Sequence, residues 1–220
     1  MANESLFFPR LSRRKQYTKT RNGRYYADYT MYKQEIREDC LGRCVYCDSH
    51  ENETGGAESM DLDHFRPKKY AEFAHLTNDP HNLVWACRGC NRFKGSHWPA
   101  IGTEGTVKGE EGFIDPFAEN RLDYFQVFPG GKVDSIKPPG NYIIKLLALN
   151  RFSRKRLREL RIIKESWIKE FQKEIKKLQH LVQIEKRLSS EAKAAFSKHI
   201  HRLNEKAEKL SVVFFDFILH

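Results

Sequence analysis

Four cysteines stand in two pairs whose spacing suits a metal ion. Cys44 and Cys47 enclose two residues, and Cys87 and Cys90 do the same. A Cys-x-x-Cys pair presents two thiolates to one metal, and two pairs complete a tetrahedral zinc site. We therefore predict that these four residues bind a structural Zn²⁺. A zinc with four protein ligands has no open position for water, so it is not the reactive centre.

Between and beside the cysteine pairs lie polar residues that a zinc site does not need. Asp63 and His64 are adjacent in D-L-D-H-F-R-P-K at 61–68, and Asn82 and Asn91 follow nine positions apart. Residues 60–66 alternate as a strand does, which places Asp63 and His64 on opposite faces. The two can serve one site only if the strand ends or turns there, and Pro67 favours such a break.

Short elements must position these residues. The pattern predicts a helix from about Tyr25 to Cys40 after a basic arm at 1–24, which we expect to be mobile until it meets a partner. A strand at 60–66, a loop with a short helix or turn at 70–78, a second strand before Cys87 and a helix after it complete a zinc-bound ββα module. The predicted fold class is α+β, with segments 1–40 (arm and helix), 41–100 (module), 101–140 (Gly/Pro-rich connector with a hairpin) and 141–220 (basic helices that dock a partner or nucleic acid).

The C-terminal segment has the pattern of a helical hairpin. Seven apolar residues recur at spacings of three and four in the first helix: Leu160, Ile163, Trp167, Phe171, Ile175, Leu178 and Val182. A second helix from about Ser190 to Leu210 is expected to fold back and to bury Ala194, Ala195, Ile200 and Leu203. The last ten residues are too apolar for a free tail, so they complete the core or form an interface.

Composition favours a protein that binds a polyanion. The chain has 220 residues, 40% of them hydrophobic, and a net charge of +10. The charge is +6 over residues 1–37, −6 over 38–140 and +10 over 141–220. Basic flanks around an acidic centre suit nucleic-acid binding, although Lys-rich solvated helices give the same count. The sequence has no run of about 18 apolar residues and no secretory leader pattern, so we expect a soluble cytoplasmic protein without a membrane partner.

The combined motif resembles the HNH endonuclease family. Family members have a cysteine pair, an acidic residue before His, a middle Asn, and a second pair followed at once by Asn or His. The sequence matches with Asp63-His64, Asn82 and Asn91. G-F-I-D-P-F at 112–117 and L-L-A-L-N-R at 146–151 extend the resemblance to the PtuB-type HNH subunits of Septu and retron antiphage systems. That resemblance implies an ATPase partner subunit.

The resemblance also implies roles at the site. His64 would be the general base, and Asp63 and Asn91 would bind one Mg²⁺ or Mn²⁺. Asn82 would hold the loop and orient His64. Some relatives carry a further His where this chain has Gly95, so more of the cation's ligands would be water and phosphate.

Three basic residues of the module are candidate contacts to flanking phosphates: Arg66, Lys68 and Lys94. A solvated lysine on a helix remains the alternative for Lys94.

Three functions are compatible with these observations. The first is a metal-dependent nuclease that cuts DNA as the effector of a bacterial defence complex. The second is an effector of the same chemistry that cuts RNA, such as tRNA. The third is a zinc-stabilised nucleic-acid-binding module without catalysis. An intact trio of Asp63, His64 and Asn91 favours catalysis, because a binding module has no physical need for it.

Overall fold

The computed structural model describes residues 6–184 and 189–217. The chain divides into two compact units between Glu159 and Leu160. The first unit includes the predicted arm, the zinc module and the connector. No helix in the described ranges is long and apolar enough to cross a membrane.

A two-stranded antiparallel sheet lies at the centre of the first unit. Strand β1 (Met60–His64) pairs with β2 (Leu83–Cys87), and Asp63 lies opposite Val84. All five residues of β2 are buried, so this strand forms the core while one face of β1 carries carboxylates. Strand β1 ends at His64. Asp63 and His64, which alternate to opposite faces within a strand, can therefore serve one site at its end.

Helix α2 (Arg88–Lys94) follows β2 directly, because Cys87 is its N-cap. The helix ends at Gly95, whose φ of +49° lies in the left-handed region. The first cysteine pair approaches this corner through a tight turn, in which Cys44 N donates to Ser49 O at 2.9 Å. Val45 N donates to Trp85 O at 3.0 Å, so the turn is tied to β2.

The N-terminal segment packs on the module, which differs from the expected mobile arm. Phe8 and Leu11 are buried, and the Arg13 guanidinium donates to Pro80 O at 3.0 Å and to Leu83 O at 3.1 Å. The predicted helix from Tyr25 begins later, as a 3₁₀ turn at Tyr29–Tyr32 followed by α1 (Lys33–Asp39). Phe8 stacks on Phe125 of the connector at 5.3 Å between ring centroids, so the segment is held by packing and by the Arg13 hydrogen bonds.

A cluster of aromatic rings lies beside the sheet. Trp98 stacks on Phe113 at 5.7 Å between ring centroids and meets Phe65 and Phe73 edge-on at 5.3 and 5.8 Å. Phe113 is 1% exposed. The G-F-I-D-P segment is therefore part of the module's core.

The connector contains two small antiparallel pairs. Strands β3 (Val107–Lys108) and β4 (Glu111–Gly112) form the first, and β5 (Phe125–Val127) and β6 (Val133–Ser135) form the second, where the sequence predicts a hairpin. Gly131 in the second turn has a φ of +73°, and a Cβ there would lie 2.0 Å from Lys155 O. The turn needs glycine because it packs directly on helix backbone.

Three helices follow the connector: α3 (Gly140–Leu146), α4 (Phe152–Ile184) and α5 (Ser190–Phe217). In the second unit Ile175 and Ile200 are buried, but Trp167, Phe171 and Leu178 of the predicted apolar stripe are exposed. The expected burial of three other α5 residues is wrong, since Ala194 and Ala195 are exposed and Leu203 is only half-buried.

Helix α5 extends beyond the predicted end at Leu210 and reaches Phe217. The prediction that the apolar last ten residues complete the core or form an interface concerns side chains that lie outside the described part of the chain.

Candidate active site

The four predicted cysteines form one buried sulfur cluster. Their Sγ atoms all lie within 4.8 Å of one another, and those of Cys47 and Cys87 are 3.8 Å apart. Thiolates at about 2.3 Å from a tetrahedral Zn²⁺ lie about 3.8 Å from each other, so the donors and their spacing fit zinc. Cys40 is buried outside this cluster, and burial raises the pKa of its thiol to about 12.

Two arginines face the sulfurs from the start of the C-terminal helices. Arg154 Nη2 lies 3.3 Å from Cys87 Sγ, and Arg151 Nη2 lies 3.6 Å from Cys90 Sγ. Four thiolates outweigh the charge of one Zn²⁺, so a loaded site is anionic and both guanidinium groups stabilise it. Burial opposes the charge of Arg154, but the sulfurs of Cys47 and Cys87 raise its pKa above the usual value. No local pattern in the sequence indicated these contacts, because they join residues more than 60 positions apart.

One face of β1 meets α2 and brings the candidate ligands together. Asp61 and Asp63 alternate along β1 on the same face, and Asn91 and Lys94 lie three positions apart on α2. Asn91 Nδ2 donates to Asp61 Oδ2 at 3.3 Å. Lys94 Nζ lies 3.2 Å from Asp63 Oδ1 and 3.1 Å from Asp63 Oδ2. The observed partner of Asn91 is therefore Asp61, which the sequence analysis did not include.

The Asp63 carboxylate is buried between a cation and a hydroxyl group. Lys94 is 0% exposed and also donates to His64 O at 2.8 Å. Tyr46, from the first cysteine pair, donates to Asp63 Oδ2 at 2.5 Å. Burial raises the pKa of Asp63, while Lys94 and Tyr46 act in the opposite direction. The predicted phosphate contact by Lys94 does not fit, because its ammonium group is inside the protein and is already paired.

His64 closes the other side of the strand end. Its Nε2 lies 2.8 Å from Thr77 O, and a carbonyl oxygen can only accept, so Nε2 carries the hydrogen and Nδ1 keeps a free lone pair. The ring of Tyr29 meets the imidazole edge-on at 4.7 Å. Burial is the largest influence on the pKa of His64 and lowers it, and the charge of Lys68 lowers it further. The imidazole is thus neutral near pH 7, the form that can accept a proton.

Asn82 fastens the loop that follows His64. Its Oδ1 accepts from Arg66 N at 2.9 Å, and its Nδ2 donates to Arg66 O at 3.0 Å. A third contact, at 3.5 Å, joins Nδ2 to Leu76 O, next to the carbonyl that holds His64. The Asn82 side chain binds backbone on both sides of the loop. It therefore has a structural role and is not a cation ligand.

The two remaining candidate phosphate contacts, Arg66 and Lys68, differ in exposure and in the contacts they already make. The half-buried Arg66 guanidinium lies 5.3 Å from the Trp98 ring centroid and donates to Glu104 O at 3.1 Å. Lys68 is exposed, with its Nζ 4.9 Å from the Tyr29 ring centroid. Lys68 is therefore the better placed of the two to meet a substrate.

The oxygen donors on this face fit a hard divalent cation. Carboxylate and amide oxygens suit Mg²⁺ or Mn²⁺. Asp61 and Asn91 are in contact on this face, and Asp63 would have to exchange a contact with Lys94 or Tyr46 to bind a cation. Within the described ranges, the four cysteines are the only group of three or more His, Cys, Asp or Glu side chains arranged to hold a metal. The protein would thus supply few ligands to the cation and leave the rest to water and substrate phosphate.

Strand, loop, strand and helix around a sulfur cluster that can bind zinc define a ββα module with an Asp-His pair at the strand end. The family model for HNH endonuclease matches residues 44–97. The match includes both cysteine pairs together with Asp63, His64, Asn82 and Asn91, and it indicates a nuclease-type function for this domain. No curated protein and no solved structure matches the chain.

Proposed function

We propose that this protein is a metal-dependent HNH endonuclease that hydrolyses phosphodiester bonds of DNA. The arrangement of His64 carries the proposal. Its imidazole is held by Thr77 O through Nε2, has a lowered pKa, and keeps a free lone pair on Nδ1. A histidine that only filled the core would not need this combination beside a carboxylate face.

The residues of the site would have separate roles in the reaction. His64 Nδ1 accepts a proton from the attacking water, and Thr77 O stabilises the resulting imidazolium through the Nε2 hydrogen bond. Asn82 holds the loop in place, and this positions Thr77 and His64. A divalent cation held by Asp63 and Asn91 would supply charge stabilisation at the leaving oxygen.

The finer proposal is that the protein is the PtuB-type effector subunit of an antiphage complex. The outer segments of that resemblance contact the module, since Phe113 stacks on Trp98 and Arg151 faces the sulfurs. These segments thus belong to one structure with the module, which supports the proposal. The exposed apolar residues of α4, Trp167 and Phe171, offer a surface for the ATPase partner.

Cleavage assays test the nuclease proposal. Supercoiled plasmid and total RNA are incubated with Mg²⁺ or Mn²⁺, and with EDTA, using wild type, His64→Ala and His97→Ala. His97 is an exposed histidine of the same module and serves as the matched control. We expect metal-dependent nicking of DNA that only His64→Ala abolishes, with zinc content unchanged. Cleavage of RNA alone would reassign the substrate, and equal activity of wild type and His64→Ala would contradict the proposed base.

Co-expression tests the complex. The full chain is expressed with the ATPase subunit encoded beside it, and the assays are repeated on the purified complex. A stable complex with higher nuclease activity supports the effector proposal. Independent migration of the two proteins, with no change in activity, contradicts it.

A further inference from the structure

Tyr29 and Lys68 form a small aromatic and cationic surface next to His64. The Tyr29 ring lies 4.7 Å from the imidazole, at an angle of 70° between the planes. Lys68 Nζ lies 4.9 Å from the Tyr29 ring centroid, and the lysine side chain is exposed. These contacts come from two separate parts of the chain, the 3₁₀ turn before α1 and the loop after β1.

The neighbouring tyrosines already perform the structural work of this segment. Tyr17 and Tyr32 are buried, and the Tyr32 hydroxyl donates to Thr18 O while accepting from Tyr26 N, both at 3.0 Å. Tyr29 is only half-buried. Across residues 6–184 and 189–217, its hydroxyl has no hydrogen-bond partner. The fold therefore does not account for an aromatic ring at this position.

An aromatic ring beside an exposed lysine is suited to bind an unpaired nucleotide. Proteins bind single strands by stacking bases on aromatic rings while lysines follow the phosphates. A base within a duplex is already stacked on its neighbours and cannot reach such a ring unless it is extruded. The exposed Lys68 can leave the ring for a phosphate, because a cation–π contact at an exposed site is weak.

We propose that Tyr29 and Lys68 form a subsite for one unpaired nucleotide adjoining the scissile phosphate, so that the substrate is single-stranded or locally unpaired nucleic acid. This inference rests on the proposed function, which leaves the form of the substrate open. Asp28 caps the turn by accepting from Thr30 N, and Asp79 pairs with His81, so phosphates are expected on the Lys68 side.

The connector provides a matched control for this pair. Tyr124 is also half-buried, and Lys137 Nζ lies 4.3 Å from its ring centroid. Tyr124 makes no ring contact with a histidine within the described part of the chain. Within the described residues a lysine lies over a tyrosine ring at three places, at Tyr25, Tyr29 and Tyr124, but only Tyr29 has a ring contact with the candidate base His64.

The test measures binding without cleavage. Fluorescence anisotropy without added Mg²⁺ or Mn²⁺, which leaves the zinc in place, compares a labelled single strand with the same strand in a duplex, for wild type, Tyr29→Leu, Tyr29→Phe and Tyr124→Leu. We expect wild type to prefer the single strand. Tyr29→Leu should weaken that binding about tenfold, while Tyr29→Phe and Tyr124→Leu should stay near wild type. Equal affinity for both forms, no measurable single-strand binding, or an unchanged Tyr29→Leu would overturn the proposal.

A second variant avoids any effect on folding. Lys68→Gln changes an exposed side chain, and Lys69→Gln next to it is the control. Losing one phosphate contact should reduce the slope of log affinity against log salt by about 0.7 for a single strand. An unchanged slope would remove Lys68 from the subsite. Because binding is measured without the catalytic cation, the subsite can be supported even when no cleavage is found. An enzyme that cleaves, but whose single-strand affinity does not depend on Tyr29, would refute the subsite alone.

Discussion

Lys94 and Asp63 form an ion pair that water barely reaches, since their side chains are 0% and 8% exposed. Removing one partner of a buried pair leaves the other as an uncompensated charge, which costs about 3–5 kcal/mol. We expect Lys94→Met to lower the free energy of unfolding by about this amount, measured from urea midpoints of the zinc-loaded protein at neutral pH.

Two controls separate the ion pair from general damage to α2. Lys69→Met removes an exposed lysine and should change stability by less than about 0.5 kcal/mol. The double variant Lys94→Met/Asp63→Asn should recover much of the loss, because no buried charge remains. If the double variant is as unstable as Lys94→Met, the cost comes from packing and the electrostatic account is wrong.

The protonation of His64 should make the cleavage rate depend on pH. Burial lowers the pKa of His64, so the imidazole loses its basic form only below the ordinary value of about 6.5. The cleavage rate should therefore be level near neutral pH and fall as pH drops through the lowered pKa. Lys68 contributes to the lowering. Lys68→Met should thus raise the pKa of His64 and move the acidic limb to higher pH.

The measurement is the pH dependence of kcat at saturating substrate and cation, with Lys69→Met as the control. A limb that stays in place in Lys68→Met, or that moves to lower pH, would show that Lys68 does not act on His64. A limb above the ordinary histidine value in wild type would contradict the lowered pKa.

At the scale of elements, the sequence was most informative where chemistry depends on short spacing. The cysteine pairs predicted the sulfur cluster. The alternation predicted a strand over 60–66, which in the structure ends at His64. The partners of those residues depend on how elements pack. Tyr46 reaches Asp63 because a turn lies against β2, and Lys94 reaches it because α2 crosses β1. No local pattern distinguishes Lys94 from a solvated helix lysine.

The junction of α3 and α4 yields the third prediction. Arg154 contacts Cys87 Sγ from the first turn of α4, and partners of metal ligands commonly change affinity about 10- to 100-fold. Arg154→Gln should therefore lose zinc about tenfold more readily, measured by competition with a chromogenic chelator under reducing conditions. Arg156→Gln is the control, because Arg156 is on the same helix and pairs with exposed Glu159. Equal zinc affinity of the two variants would contradict a role for Arg154.

For the whole molecule, the count of 39 Lys and Arg residues overstates the basic groups that a partner can reach. Three arginines are used internally as donors to backbone carbonyls. Arg13 binds Pro80 O and Leu83 O, Arg121 binds Val45 O and Pro9 O, and Arg158 binds Gly131 O and Leu149 O. Composition could not reveal this, because a count does not distinguish a buried guanidinium group from an exposed one. Part of the charge that suggested a polyanion partner instead holds the first unit together.

The last prediction concerns zinc and the unit it holds. The sulfur cluster joins the turn at Cys44, the end of β2, and α2, and two arginines bind it from the helices that follow. Structural zinc sites release about 10–16 kcal/mol on binding, whereas a domain is stable by about 5–15 kcal/mol. Removing zinc should therefore unfold the module rather than loosen it.

A zinc-selective chelator under reducing conditions should abolish the near-ultraviolet circular dichroism of buried Trp85 and Trp98 and stop cleavage. Zn²⁺ should restore both, and Mg²⁺ should restore neither. Cys90→Ala should behave as the zinc-free protein, while Cys40→Ala, which removes a buried thiol outside the cluster, should retain one zinc per chain. A zinc-free protein that keeps its near-ultraviolet spectrum and its urea midpoint would show that the aromatic core and the ion pairs suffice to fold the module.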